Sequence, residues 1–171
     1  MVTNNEIIKK VSQVLAVADY AIALTGAGLS TESGIRDFRG PKGIWKTDPE
    51  AEKKAYQSFD KFKRNPKEHW IERLTTPDLL GDLSEYEPNR GHKALAELES
   101  LGIVRTVITQ NIDNLHYKAG SKNVIEYHGN YSKLRCLNCA SQYEESRFNL
   151  NEMLKKDLLP PICPKCGQAL K

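Results

Sequence analysis

The sequence has no apolar stretch long enough to span a membrane, and its first ten residues, MVTNNEIIKK, lack the apolar centre of a secretory signal peptide. It has little excess charge. Its 25 Lys and Arg against 22 Asp and Glu leave a net +3, too small and too dispersed for a nucleic-acid footprint. The densest basic patch, KFKRNPK (Lys61–Lys67), reads as a solvated helix face or turn. Internal repeats beyond the cysteine pairs are missing, as are low-complexity tracts. Cysteine is sparse, and its four copies stand only as two tight pairs. That argues for metal over disulfides and for a reducing, cytoplasmic setting. What is present is a globular composition, 39% hydrophobic and 27% charged, in 171 residues: one domain, or one domain with a small appendage.

Helix and strand signals alternate along the chain. Thr3-x-x-Glu6 is a capping box, and Ile7, Ile8, Val11, Val14, Leu15 and Ala18 share one face of the helix it opens. Ala21–Thr25 is a short apolar run that ends in glycine, as a buried strand would. Much later, Ala94, Leu95, Leu98 and Leu101 line a helix, Gly102 caps its end, and IVRTVIT (103–109) is β-branched and strand-like. A third strand, NVIEYH, begins at Asn123. This alternation predicts a Rossmann-like α/β fold, a parallel sheet with helices on both faces. Two segments break the rhythm. Residues 43–88 are charged and helical in pattern, an insertion or lid. Residues 132–171 form a separate small, zinc-ribbon-like module organised by the cysteine pairs, with room for a short helix near 148–156.

Cys136-Leu-Asn-Cys139 and Cys163-Pro-Lys-Cys166 carry the most specific chemistry. Each pair can turn back on itself and present two thiolates. Two such turns make a tetrahedral four-sulfur site with no open position, which points to a structural zinc; a redox pair or unused thiols are the alternatives. In TGAGLSTESGIRDFRG (25–40), Gly26 and Gly28 permit close backbone approach of a phosphate, but Thr31 stands where the dinucleotide fingerprint has its third glycine. A plain tight turn competes with that reading. In TQNIDNLHYKAG (109–120), Gln110, Asn111 and Asp113 follow the second strand, at the edge where open α/β sheets bind ligands. An Asn/Asp helix cap would look the same. Glu126-Tyr127-His128-Gly129-Asn130 closes the third strand, with His128 either a general base or structural. His69, His92 and His116 give no comparable signal. Three polar clusters at the carboxyl ends of three successive strands are expected to converge.

In order and content these motifs resemble the sirtuin family, the NAD-dependent protein-lysine deacylases. The loop Gly26–Arg39, the segment Thr109–Gly120, His128-Gly129-Asn130 and the two cysteine pairs match, over nearly the whole chain. The resemblance implies an enzyme that removes acetyl groups from protein lysines, with NAD as co-substrate, one structural Zn2+, and acetyl-lysine proteins or peptides as partners. Its products would be nicotinamide, deacetylated lysine and O-acetyl-ADP-ribose. It implies that Gly26, Ala27 and Gly28 lie against the NAD diphosphate, and that Ser30 and Arg39 hold phosphates and ribose. Asp37 and Phe38 would belong to a mobile cofactor loop, with Phe38 shielding the reacting ribose carbon. Gln110 would bind ribose hydroxyls, and Asn111, Ile112 and Asp113 would form the nicotinamide pocket. The catalytic residues it implies are Asn111 and His128, the latter as base. Residues 1–42 and 89–131 would then be the first part of the NAD-binding domain.

Two departures from the family pattern stand out. Arg36 replaces the proline usual before Asp-Phe-Arg, which adds a charge and frees the backbone. The family also continues past the cysteine module with further αβ units, whereas this sequence ends five residues after Cys166. The expectation is a Rossmann-like domain whose C-terminal remainder is absent, inactive by itself. In sirtuins that remove acidic acyl groups, a Tyr and an Arg follow the Trp of an N-P-x-x-x-W segment by three and six residues. Here the Trp is Trp70 and those positions hold Arg73 and Thr76, which predicts acetyl over succinyl. Mono-ADP-ribosyl transfer and a zinc-stabilised binding module without catalysis are the alternatives.

Overall fold

Thr3 opens the first helix, α1 (Asn4–Val17), as its capping box dictates. Its hydroxyl accepts from the Glu6 N–H at 3.4 Å, while the Glu6 carboxylate accepts from the Thr3 N–H at 2.8 Å. The computed structural model describes residues 3–171. No residue of α1 is buried, and Ile8 and Val14 on its apolar stripe are 62% and 60% exposed. Strand β1 (Ala21–Thr25) follows, then a single helical turn, α2 (Ala27–Ser30). The segment expected to be a helical insertion contains α3 (Ile44–Thr47), α4 (Pro49–Arg64) and α5 (Pro66–Thr75). Proline opens α4 and α5, where its missing N–H leaves no bond unmade. The residue before each proline is the cap: Asp48 accepts from the Ala51 N–H at 3.1 Å and Asn65 from the Glu68 N–H at 3.2 Å.

Helix α6 (Arg90–Ser100) ends in a Schellman turn. The Gly102 N–H donates to the Glu99 carbonyl at 2.9 Å and the Ile103 N–H to the Leu98 carbonyl at 3.0 Å. Gly102 sits at φ +73°, a conformation that a Cβ would strain. The chain turns directly into β2 (Val104–Thr109), then α7 (Leu115–Ala119) and β3 (Val124–Glu126). The third strand is shorter than its sequence suggested, so Tyr127 and His128 lie in a turn beyond it. The three strands form one parallel sheet, order β1-β2-β3, with β2 central. Val104, Thr106, Val107 and Thr109 of β2 are buried, as a middle strand requires.

The last forty residues hold an antiparallel pair, β4 (Lys133–Arg135) with β5 (Gln142–Glu144), and helix α8 (Leu150–Lys155) within the stretch expected to be helical. Leu134, Leu170 and Trp70 are fully buried there and form one core with Phe62, Leu150, Leu159, Cys136 and Cys163. Trp70 Nε1 donates to the Leu170 carbonyl at 2.7 Å, satisfying the one polar atom that burying the indole brings inside. Contacts divide the chain into two compact units. One runs to Ile35 and resumes over Tyr86–Gly129; the other joins Arg36–Glu85 to Asn130–Lys171. Among the described residues no helix is long and apolar enough to cross a membrane.

Candidate active site

The register of the sheet brings three strand ends level. Thr25 of β1 lies beside Thr109 of β2, and Thr109 beside Glu126 of β3. The ladder runs one step further, with the Gln110 N–H donating to the Thr25 carbonyl at 3.0 Å and the Tyr127 N–H to the Thr109 carbonyl at 2.9 Å. The three polar clusters singled out in the sequence therefore leave the sheet at one edge.

Ser30 is the hub of what gathers there. Its hydroxyl donates to Asp113 Oδ2 at 2.6 Å and accepts from Asn111 Nδ2 at 3.0 Å. The same Asn111 amide also donates to the Gly26 carbonyl at 3.1 Å. The second Asp113 oxygen accepts from the Leu115 N–H at 3.0 Å, so this aspartate orders the start of α7 and belongs to the cluster at once. Ser30 and Asp113 are buried, a position that polar side chains hold only with partners. A Cβ at Gly26 or Gly28 would meet no atom within 4 Å. Protein packing does not demand glycine at either position; the approach of a ligand would.

Two histidines that the sequence did not single out complete the network. His92 Nε2 lies 3.4 Å from Ser30 Oγ, and His116 Nε2 lies 2.9 Å from Thr25 Oγ1. Their rings are 5.1 Å apart, and Nδ1 of each is buried with no partner among the described residues. A buried N–H without an acceptor is the rarer defect, so the network assigns both protons to Nε2. His92 then donates to Ser30, and the one Ser30 proton stays on Asp113. Burial lowers the pKa of both rings, and His92 lowers His116 further, to about 4. Asn89 was also missed. It caps α6 through the Gly91 N–H at 2.8 Å, and its amide donates to the Leu29 carbonyl at 2.7 Å, fixing the helix to the glycine turn. An Asn ahead of a helical run is a legible cap; a buried histidine is not legible at all.

The remaining site residues stand outside the network. Gln110 is exposed, Ala27 and Ile112 are half-buried, and His128 is exposed in its turn with its ring 5.0 Å from that of Tyr127. Asp37, Phe38 and Arg39 belong to the second unit. There the Ile44 N–H donates to the Asp37 carbonyl at 2.9 Å and the Trp45 N–H to the Phe38 carbonyl at 3.0 Å. A Cβ at Gly43 would come within 2.5 Å of the Phe38 carbonyl oxygen, so this closed loop requires glycine.

The four cysteines are brought together. All four Sγ atoms lie within 4.8 Å of one another, with Cys136 to Cys166 at 3.4 Å and Cys139 to Cys163 at 3.6 Å. Zn–S bonds of about 2.3 Å place tetrahedral sulfurs roughly 3.8 Å apart, so the donor set fits that ion.

The sequence profile of the Sir2 family matches residues 26–171. The chain belongs to the Sir2 family. A protein of Caldivirga maquilingensis named NAD-dependent protein deacetylase is 48% identical over 168 residues, 95% of this chain and 60% of that protein. One of Archaeoglobus fulgidus, named NAD-dependent protein deacylase 2, is 46% identical over 94% of this chain and 59% of its own length. Among solved structures, a Sir2 complex with a p53 peptide and NAD+ superimposes with a TM-score of 0.67 at 34% identity, covering 96% of this chain and 62% of that one. This Sir2-family chain thus spans about three-fifths of the length of the relatives it matches.

Proposed function

We propose that this Sir2-family chain serves the NAD-dependent removal of acetyl groups from protein lysines, yielding nicotinamide, deacetylated lysine and O-acetyl-ADP-ribose. The observation that carries the reading is the level sheet edge, where the Gly26–Ser30 turn is hydrogen-bonded to Asn111 and Asp113 and the strand that leads to His128 ends beside theirs. Gly26, Ala27 and Gly28 leave room for the diphosphate, with Arg39 on phosphates and ribose and Gln110 on ribose hydroxyls; Ser30, expected on the phosphates, is buried with its one proton on Asp113 and so shapes the pocket instead. Asn111, Ile112 and Asp113 hold the nicotinamide carboxamide. Ser30 and His92 keep the Asp113 carboxylate aimed, because the serine proton is committed to it. Asp37 and Phe38 shield the reacting carbon from water. His128, exposed at the edge, is the base that takes a ribose hydroxyl proton. Cys136, Cys139, Cys163 and Cys166 would hold one zinc, which would tie the two cysteine turns together and serve a structural role.

In this reading residues 1–42 and 89–131 bind NAD, 43–88 are a helical insertion and 132–171 the zinc module. A cytoplasmic setting goes with it, since the thiols stand as metal-type pairs. The test is nicotinamide release from NAD with an acetyl-lysine peptide, by the chain alone and joined to the remaining two-fifths of the Caldivirga protein. Release that requires the acetylated peptide is the expected outcome in the joined form. A joined protein that folds and binds zinc yet releases none would refute the proposal. Release with ADP-ribose transferred to protein would replace deacetylation by ADP-ribosyl transfer.

A further inference from the structure

Arg36 stands where the sirtuin pattern has proline, and its side chain makes a connection no proline could. Its Nη2 donates to Thr47 Oγ1 at 2.6 Å and toward the Lys42 carbonyl at 3.4 Å. Thr47, the last residue of α3, can accept because its own proton points back to the Ile44 carbonyl at 3.0 Å. The guanidinium therefore ties the entry of a loop to its exit, eleven positions on. Inside the tie, the Arg39 guanidinium lies 4.4 Å over the Trp45 ring, and Phe38 stacks on the same ring at 4.7 Å. Arg39 has no hydrogen bond or ion pair among the described residues, so the face of Trp45 is what holds it.

We propose that Arg36 is a latch. It holds residues 36–47 in a parked arrangement, with Phe38 and Arg39 both committed to Trp45, from which an anionic ligand must draw Arg39. That the ligand is the diphosphate of NAD rests on the proposed function. Arg36 is thus a positioning residue that acts through Arg39 and Phe38. Because the latch is solvated, its removal should shift the balance by only about 2- to 10-fold. A ligand that needs the released arrangement binds more weakly by the fraction of molecules in it, so freeing the loop should tighten binding by a similar factor.

Three measurements on the full chain test this, with Arg36→Ala, Thr47→Val and the conservative Thr47→Ser. The first is chymotryptic cleavage after Phe38 and Trp45. The second is Trp45 emission, isolated by subtracting each variant's Trp45→Phe partner, since the only other tryptophan is the buried Trp70. The third is the dissociation constant of ADP-ribose. Arg36→Ala and Thr47→Val should raise cleavage about 2- to 10-fold, shift Trp45 emission to the red and tighten ADP-ribose by a like factor. Thr47→Ser should behave as the parent. Unchanged cleavage and emission would overturn the latch. A loosened loop with unchanged or weaker ADP-ribose binding would reduce Arg36 to a purely structural tie and overturn its positioning role. ADP-ribose binding is measured on each form joined to the remaining two-fifths of the Caldivirga protein; if no joined form binds it, the proposed function fails instead, and cleavage and emission still decide the latch.

Discussion

The unit that holds the cysteines and the unit that holds the parallel sheet bury different kinds of side chain. Around the cysteines the inside is apolar: Trp70, Leu134 and Leu170 are 0% exposed, packed with Phe62, Leu150 and the sulfurs. In the sheet unit the buried polar set is large, comprising Ser30, His92, Thr106, Thr109, Asp113, His116 and Ser121. Its apolar stripe on α1, by contrast, is open, and Leu24 of β1 is 69% exposed. Apolar burial is non-directional and stabilises in proportion to area, whereas a buried hydroxyl or imidazole stabilises only through partners at set distances. One unit is built to stay folded. The other puts its ordered polar groups at a strand edge, where chemistry can use them.

The comparison breaks most sharply at the metal. If sulfur ligation organises the cysteine unit, purified protein should contain about one zinc per chain, and Cys163→Ser should lose it. Structural zinc contributes on the order of 10–16 kcal/mol of binding free energy, coupled to folding. The near-ultraviolet dichroism of buried Trp70 should therefore collapse in the variant, while amide protection of β2 in the sheet unit persists. Protein without zinc and with four freely titrating thiols would remove the metal from the account.

His128→Ala should act in the opposite way, sparing both folds and striking the chemistry. The side chain is exposed beyond β3 and makes no contact that either core needs. Loss of a proton-transfer base typically costs about 10²–10⁴ in rate, so a form active in the parent should lose that much turnover while its zinc content and NAD affinity stay level. Near-normal turnover would move the base elsewhere.

These two tests fall on features that the sequence displayed plainly, and the reason is physical. Cysteine spacing, a glycine turn, a capping box at Thr3 and a Schellman glycine at Gly102 each act within a few residues, so neighbours in sequence are neighbours in space. The strands were legible because β-branched runs stop at polar residues, and parallel pairing then aligned Thr25, Thr109 and Glu126. His92 and His116 stayed hidden because their partners, Ser30 and Thr25, lie 62 and 91 positions away. A residue type does not announce that it will be buried beside such a partner. The β4–β5 pair escaped notice because three-residue strands are too short to show an alternating pattern.

Those hidden histidines give the sheet unit an acid sensitivity of its own. Burial, with His92 beside it, lowers His116 from 6.5 to about 4. The unfolded chain therefore binds a proton first as pH falls, and stability should be complete above about pH 6.5 and decline between there and about pH 4. A shift of that size sets a ceiling of about 3 kcal/mol, and His92, lowered in the same direction, adds to it. His69 in the cysteine unit is also lowered to about 4, chiefly by burial, so both units should weaken in acid. Resolved histidine titrations by NMR would separate them. A His116 that protonates near pH 6.5 would show that the network does not exclude water as the structure indicates.

The smallest effect belongs to Arg73, and it decides a question of specificity. Of the two positions where sirtuins that remove acidic acyl groups carry Tyr and Arg, this chain has Arg73 and Thr76, so Arg73 is the one cation there. In the structure its guanidinium is engaged twice, donating to Glu145 Oε2 at 2.8 Å and lying 4.7 Å over the Trp70 ring. An exposed ion pair of this kind is worth less than about 1 kcal/mol, and the stack on the indole adds a similar amount. Arg73→Ala should therefore lower the melting temperature by only a few degrees. More tellingly, it should leave acyl preference unchanged, because an arginine already paired with a carboxylate has little left to offer a second one. Turnover of acetyl-lysine and succinyl-lysine peptides by parent and variant, each joined to the remaining two-fifths of the Caldivirga protein, is the measurement. Acetyl should lead in both, and a succinyl rate that exceeds acetyl in the parent and falls in the variant would show that Arg73 leaves Glu145 for the substrate.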